Sequence, residues 1–151
     1  MVGTILIFRD RLVPSILYHT HENALMGSLV RVFCTAETDQ PSIDRALAGE
    51  PDFQVFFPVR AAIRQKILAV VESRPPEGRW ARFPTFKIEP VRLPGHPHDD
   101  FWLWDGVREW RHEGRNDAIA GYPEREIIND TMLISRIEKR WAERPDRLWR
   151  D

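Results

Sequence analysis

Cysteine occurs once in this 151-residue chain, at Cys34. A single thiol closes no internal disulfide and supplies no cysteine metal-ligand spacing, which fits a reducing compartment. Lysine is nearly absent, confined to Lys66, Lys87 and Lys139, so arginine carries most of the positive charge. No long apolar run occurs. The opening "MVGTILIFRDR" is short, has no basic residue ahead of it and stops at Arg9, which makes it neither a signal peptide nor a membrane span. These absences point to a cytoplasmic protein with no membrane partner. A net charge of -1 provides no global field towards nucleic acid or an acidic membrane.

The remaining composition is that of a globular domain, with 42% hydrophobic and 30% charged residues. One domain spanning residues 1–151 is expected. Strands are expected at "TILIF" (4–8), "LVPSILYH" (12–19), "LMGSLVRVFCTAE" (25–37) and "DFQVFFPV" (52–59), on their β-branched and aromatic content. Arg31 among apolar neighbours suits a half-buried strand, and Gly27 marks a bulge or turn at its start. "PSIDRALAGE" predicts a short helix near 43–48 with Ser42 as N-cap and Gly49 as stop. "RAAIRQKILAVVES" divides into a turn and a strand. Leu133, Ile134, Ile137 and Trp141 recur at helical spacing, so an amphipathic C-terminal helix is expected near 131–143, opened by Asp130. The class is α+β: mainly antiparallel β, as a small twisted sheet or barrel-like, with these two helices.

Motifs for chemistry are sparse. No Gly-x-Ser-x-Gly, His-Glu-x-x-His or glycine-rich phosphate loop occurs. No cofactor is implied, and the chain leans away from catalysis. Cys34, inside "RVFCTA", reads as a small buried hydrophobe. Four of the five histidines form two His-x-His pairs, His19 with His21 and His96 with His98. On a strand, residues i and i+2 share a face, so each pair could chelate a transition metal. A small metal-binding module or metal-dependent enzyme is therefore the alternative reading.

Charge is segregated. Glu22–Asp52 carries six acids against Arg31 and Arg45, Arg60–Arg92 eight basic residues against three acids, and Asp99–Asp117 six acids against three arginines. Either the protein has two charged faces, or neighbouring strands neutralise each other; the second is favoured. Nucleic-acid binding through the basic segment would demand steep salt dependence, which the neutral total opposes.

"DDFWLWDGVREW" (99–110) holds half of the six tryptophans around Asp105-Gly106, a strong hairpin signal. A two-residue loop pairs Trp104 with Val107. A three-residue loop with a glycine bulge pairs Leu103 with Val107 and Trp102 with Arg108. The second is preferred because it puts Phe101, Leu103 and Val107 on one face, and Trp102, Arg108 and Trp110 on an aromatic-cationic one. Burying a tryptophan removes roughly 200 Å² from water, at most ~5 kcal/mol, so exposed ones need a reason. Trp102, Trp104, Arg108 and Trp110, with Asp99 and Asp100, form the candidate partner-binding set.

From about Val55 onward, "FQVFFPV", "KILAVVESRPPEGRWARFPTFKI", "DDFWLWDG" and "YPEREIINDTMLISRIEKRW" follow one another. In this succession the chain resembles the immunity-protein-26 family of bacterial polymorphic toxin systems. The resemblance implies a cytoplasmic protein that binds a cognate toxin and blocks it without chemistry of its own.

Overall fold

A computed structural model describes residues 3–8, 15–35, 39–89 and 100–143. The chain divides into two compact units. One takes in the described residues up to Ala81 and those from Ile127 on; the other runs from Arg82 to Glu126. The fold is α+β with antiparallel sheets, as the apolar patterning predicts.

In the first unit five strands run in the order β4-β3-β2-β1-β5, and among the described residues they do not close into a barrel. They are β1 (Thr4–Phe8), β2 (Ile16–Asn23), β3 (Gly27–Phe33), β4 (Phe53–Phe57) and β5 (Leu68–Ser73), all antiparallel to their neighbours. Helices lie on both faces. Helix α1 (Gln40–Ala48) sets Ile43 against Ile5, Ile16, Tyr18 and Phe33. Helices α2 (Val59–Arg64) and α3 (Asp130–Glu143) cover the opposite face, where Leu133, Ile137 and Trp141 meet Leu6, Leu17, Val30 and Val55. This double cover explains why β3 reads as a nearly continuous apolar run, and why β2 is buried from Ile16 to Thr20. It also corrects the half-buried expectation for β3: Arg31 is 2% exposed.

The helix boundaries follow from capping. Asp39, not Ser42, is the N-cap of α1: its Oδ1 accepts the Ser42 N–H at 3.0 Å, and Pro41 sits in the first turn, where no N–H is required. At the start of α3 Asn129 does the same, accepting from Met132 N at 2.8 Å. The segment expected as a turn before β5 is the six-residue α2. The C-terminus of α1 is held from a distance. A 3-10 turn at Gly78–Ala81 brings Arg79 to the Ala48 carbonyl at 3.1 Å and the Trp80 indole N–H to the Leu47 carbonyl at 3.0 Å. A guanidinium at that end complements the helix dipole.

The second unit contains a three-stranded antiparallel sheet in the order β6-β7-β8: Phe86–Ile88, Trp102–Trp104 and Glu109–Arg111. No helix among the described residues is long and apolar enough to cross a membrane.

Candidate partner surface

Asp105 decides the shape of the hairpin. Its carboxylate accepts the backbone N–H of Arg108 at 2.7 Å and of Val107 at 3.0 Å. These two N–H groups, Arg108's first, hold its carboxyl below the usual range. The Asp105 N–H reaches the Arg108 carbonyl at 3.2 Å, so the loop is Asp105-Gly106-Val107-Arg108 and Trp104 pairs with Glu109. Neither register expected from the sequence forms, because a loop of this length moves Trp102 opposite Arg111 and Leu103 opposite Trp110. Gly106 takes φ +94°, and a Cβ there would lie 2.9 Å from the Phe83 ring. Glycine is needed both for the turn and for the ring beneath it.

This register overturns the expected split into faces. Paired residues share a face of the sheet. Trp102 and Trp104 lie with Phe86, Ile88, Glu109 and Arg111, while Leu103 and Trp110 lie with Lys87 on the other side. Trp102 and Trp110 therefore point in opposite directions. Val107, expected in the core, is 90% exposed at the loop tip.

Each candidate contact residue has a definite place. Trp104 is 7% exposed, packed against Phe83 (5.3 Å between ring centres) and Phe86 (5.8 Å), with the Arg125 guanidinium 5.4 Å from its ring. It belongs to the core of this unit. Trp102 is 42% and Trp110 38% exposed. Arg108 is exposed and turns back to Asp105 at 3.4 Å. Asp100 holds Arg111 at 2.6 Å and stabilises its charge. Asp99 lies outside the described residues. Arg125, which no sequence motif marks, bonds Glu109 at 2.8 Å. Its signal, an arginine in "YPERE", carries no information about a partner some sixteen residues earlier.

Charges that looked segregated in sequence meet in space. Arg60 meets Glu22 at 3.5 Å, Arg74 meets Asp44 at 2.8 Å and Glu72 at 2.7 Å, Arg79 meets Glu50, and Lys87 meets Glu124 at 3.6 Å. The neutralising alternative describes these pairs.

The histidine pair in β2 does not converge. A bulge inserts Thr20, so His19 faces Val30 and His21 faces Leu29. Val30 and Leu29 are successive residues and point to opposite faces, and so do the two imidazoles. His19 is fully buried, with Nε2 3.5 Å from Glu22; burial, the larger influence, pulls its pKa down, and Glu22 pulls it up. His21 sits at 3.2 Å from the Ala81 carbonyl through Nε2 and at 3.0 Å from Thr20 Oγ1 through Nδ1. A carbonyl only accepts, so Nε2 carries the proton and the Thr20 hydroxyl donates to Nδ1. Arg31 donates in turn to Thr20 Oγ1. That chain occupies both nitrogens of His21. The shared-face geometry required for joint chelation by His19 and His21 is absent, and among the described residues no group of three potential ligands gathers. His96 and His98 lie outside the described residues.

A second aromatic-cationic cluster went unmarked in the sequence. The guanidinium of Arg31 lies 5.0 Å from the Trp80 ring centre and that of Arg79 4.1 Å. Burial lowers the Arg31 pKa to about 10. Arg79 and Trp80 are adjacent, but Arg31 comes from β3, far upstream in sequence, so no local motif announces the cluster.

Comparison with known protein families, curated proteins and solved structures returns no match.

Proposed function

We propose that this chain is a non-catalytic binding protein that neutralises a cognate toxin by direct contact, through the hairpin unit. The observation that carries the reading is the pair Trp102 and Trp110, left 42% and 38% exposed on opposite sides of a sheet whose charged neighbours are already paired. Large aromatics at the surface cost solvation free energy, and tryptophan is the residue that most often anchors an interface. The toxin-neutralising role rests on the resemblance of the segments from Val55 onward to the immunity-protein-26 family. The protein's place is then the cytoplasm, where such a toxin would act.

Co-expression with each protein encoded beside its gene tests this. One neighbour is expected to be toxic alone and harmless with the chain present. Trp102→Ala and Trp110→Ala, measured with the purified pair, are each expected to weaken binding by about thirtyfold, the effect of an anchor worth about 2 kcal/mol. If no neighbour binds or is neutralised, the reading fails.

A further inference from the structure

The outer edge of β8 has the geometry of a self-complementary strand. His112 N–H bonds the Phe101 carbonyl at 2.8 Å, and Asp105 N–H bonds the Arg108 carbonyl at 3.2 Å. In an antiparallel ladder hydrogen-bonded pairs alternate with non-bonded ones. Hence Arg108, Trp110 and His112 turn their backbone groups inward to β7, and Glu109 and Arg111 turn theirs outward. Among the described residues nothing pairs with that edge, and all three residues of β8 are exposed.

We propose that β8 pairs, antiparallel and about a two-fold axis at Trp110, with β8 of a second copy of this chain. The sequence Glu109-Trp110-Arg111 matches itself under that operation. Glu109 of one copy faces Arg111 of the other, and the same pair recurs across the axis. Both residues present outward N–H and C=O, so each such pair exchanges both of its backbone bonds. Trp110 meets Trp110 at the intervening non-bonded position, where Cα atoms come closest, about 4.5 Å, and cross-strand aromatics pack best. Charged residues normally protect a strand edge from this kind of pairing. Like charges at both positions would do so here. Opposite charges, related by the two-fold, do the reverse.

The intrachain pairs survive the association. Glu109 keeps Arg125 and Arg111 keeps Asp100, which extends each cross-copy pair into an alternating row of four charges. A strand of three residues buries far less than the roughly 1,200 Å² of a stable interface, so the dimer is weak and concentration-dependent. This inference stands apart from the toxin-binding reading, although both engage Trp110.

Sedimentation velocity on the full chain, from about 5 µM to about 500 µM, brackets the range of weak association. A monomer-dimer transition is expected. Glu109→Arg and Arg111→Glu should each raise the dissociation constant about tenfold, by turning both cross-copy pairs repulsive. The double variant should restore the wild-type value. Arg111→Pro, which removes an outward N–H and no inward one, should leave a monomer. Hydrogen exchange of the unmodified protein needs no substitution: the Glu109 and Arg111 amides should slow as concentration rises. A monomer throughout the range, a dimer indifferent to the single charge reversals, or a double variant that fails to recover would each overturn the proposal. Toxin neutralisation is read in a separate assay and does not bear on this outcome.

Discussion

Replacing Gly106 by alanine tests the account of the hairpin most directly. Two penalties add. At φ +94° an L-residue is strained, at about 1–2 kcal/mol. The new Cβ also lies 2.9 Å from Cδ1 and Cε1 and 3.2 Å from Cζ of Phe83, well inside van der Waals separation. The ring has little room to yield. It stands edge-on to Trp104 at 85° and 5.3 Å, and at 60° and 5.6 Å to Phe86. Overpacking of this kind costs about 1–3 kcal/mol. The total is about 2–5 kcal/mol, a drop of several degrees or more in Tm at roughly 2–4 °C per kcal/mol for a chain of this size. Thermal unfolding followed by tryptophan fluorescence reads it. The two sources separate in a double-mutant cycle: Phe83→Leu should relieve the contact but not the dihedral strain, so the pair should be less destabilised than the sum of the singles. A Gly106→Ala protein within about 0.5 kcal/mol of wild type would refute both halves of the argument.

Two other outcomes follow from the first unit. Burial lowers the pKa of His19 and of His21, so the unfolded chain binds more protons than the folded one once pH falls through the unfolded value near 6.5. Urea midpoints should therefore fall as pH is lowered from 7 to 5, and the His19→Gln, His21→Gln double variant should show a shallower slope; a wild-type midpoint that rises over that range contradicts the assignment. Ile137→Ala empties a buried position where α3 meets the sheet and should cost about 2–5 kcal/mol by denaturant unfolding. A loss below 1 kcal/mol would mean that the helix is not seated as described.

Much of the fold was legible because apolar spacing is a local property. The β-branched runs found β1 and β4, and Leu133, Ile137 and Trp141 found the buried stripe of α3. What escaped was decided by single polar atoms. Asp39 and Asn129 took the caps assigned to Ser42 and Asp130 because each carboxylate or amide oxygen reaches a first-turn N–H three residues on. In "HTH" the alternation reads as one shared face, and nothing in those three letters reveals that Thr20 is the bulge. For the hairpin, Asp105-Gly106 announced the turn, but loop length depended on Asp105 holding two backbone amides, and so the pairing partners of Trp102 and Trp110 were misplaced. Arg31, Thr20 and His21 form a hydrogen-bonded chain only because β2 and β3 lie side by side.

The first unit is written in two pieces, with Arg82–Glu126 between them. On the ribosome, the strands that supply Leu6, Leu17, Val30 and Val55 emerge well before the helix that covers them. At about 5–20 residues per second, the forty-five intervening residues take a few seconds to synthesise. During that interval one face of the sheet has only α2 over it, and the part that α3 will cover is an open apolar surface. The nascent chain is thus a better chaperone client than the finished protein, and a ribosome stalled within residues 82–126 would leave a sticky, half-covered product for the cell's proteases.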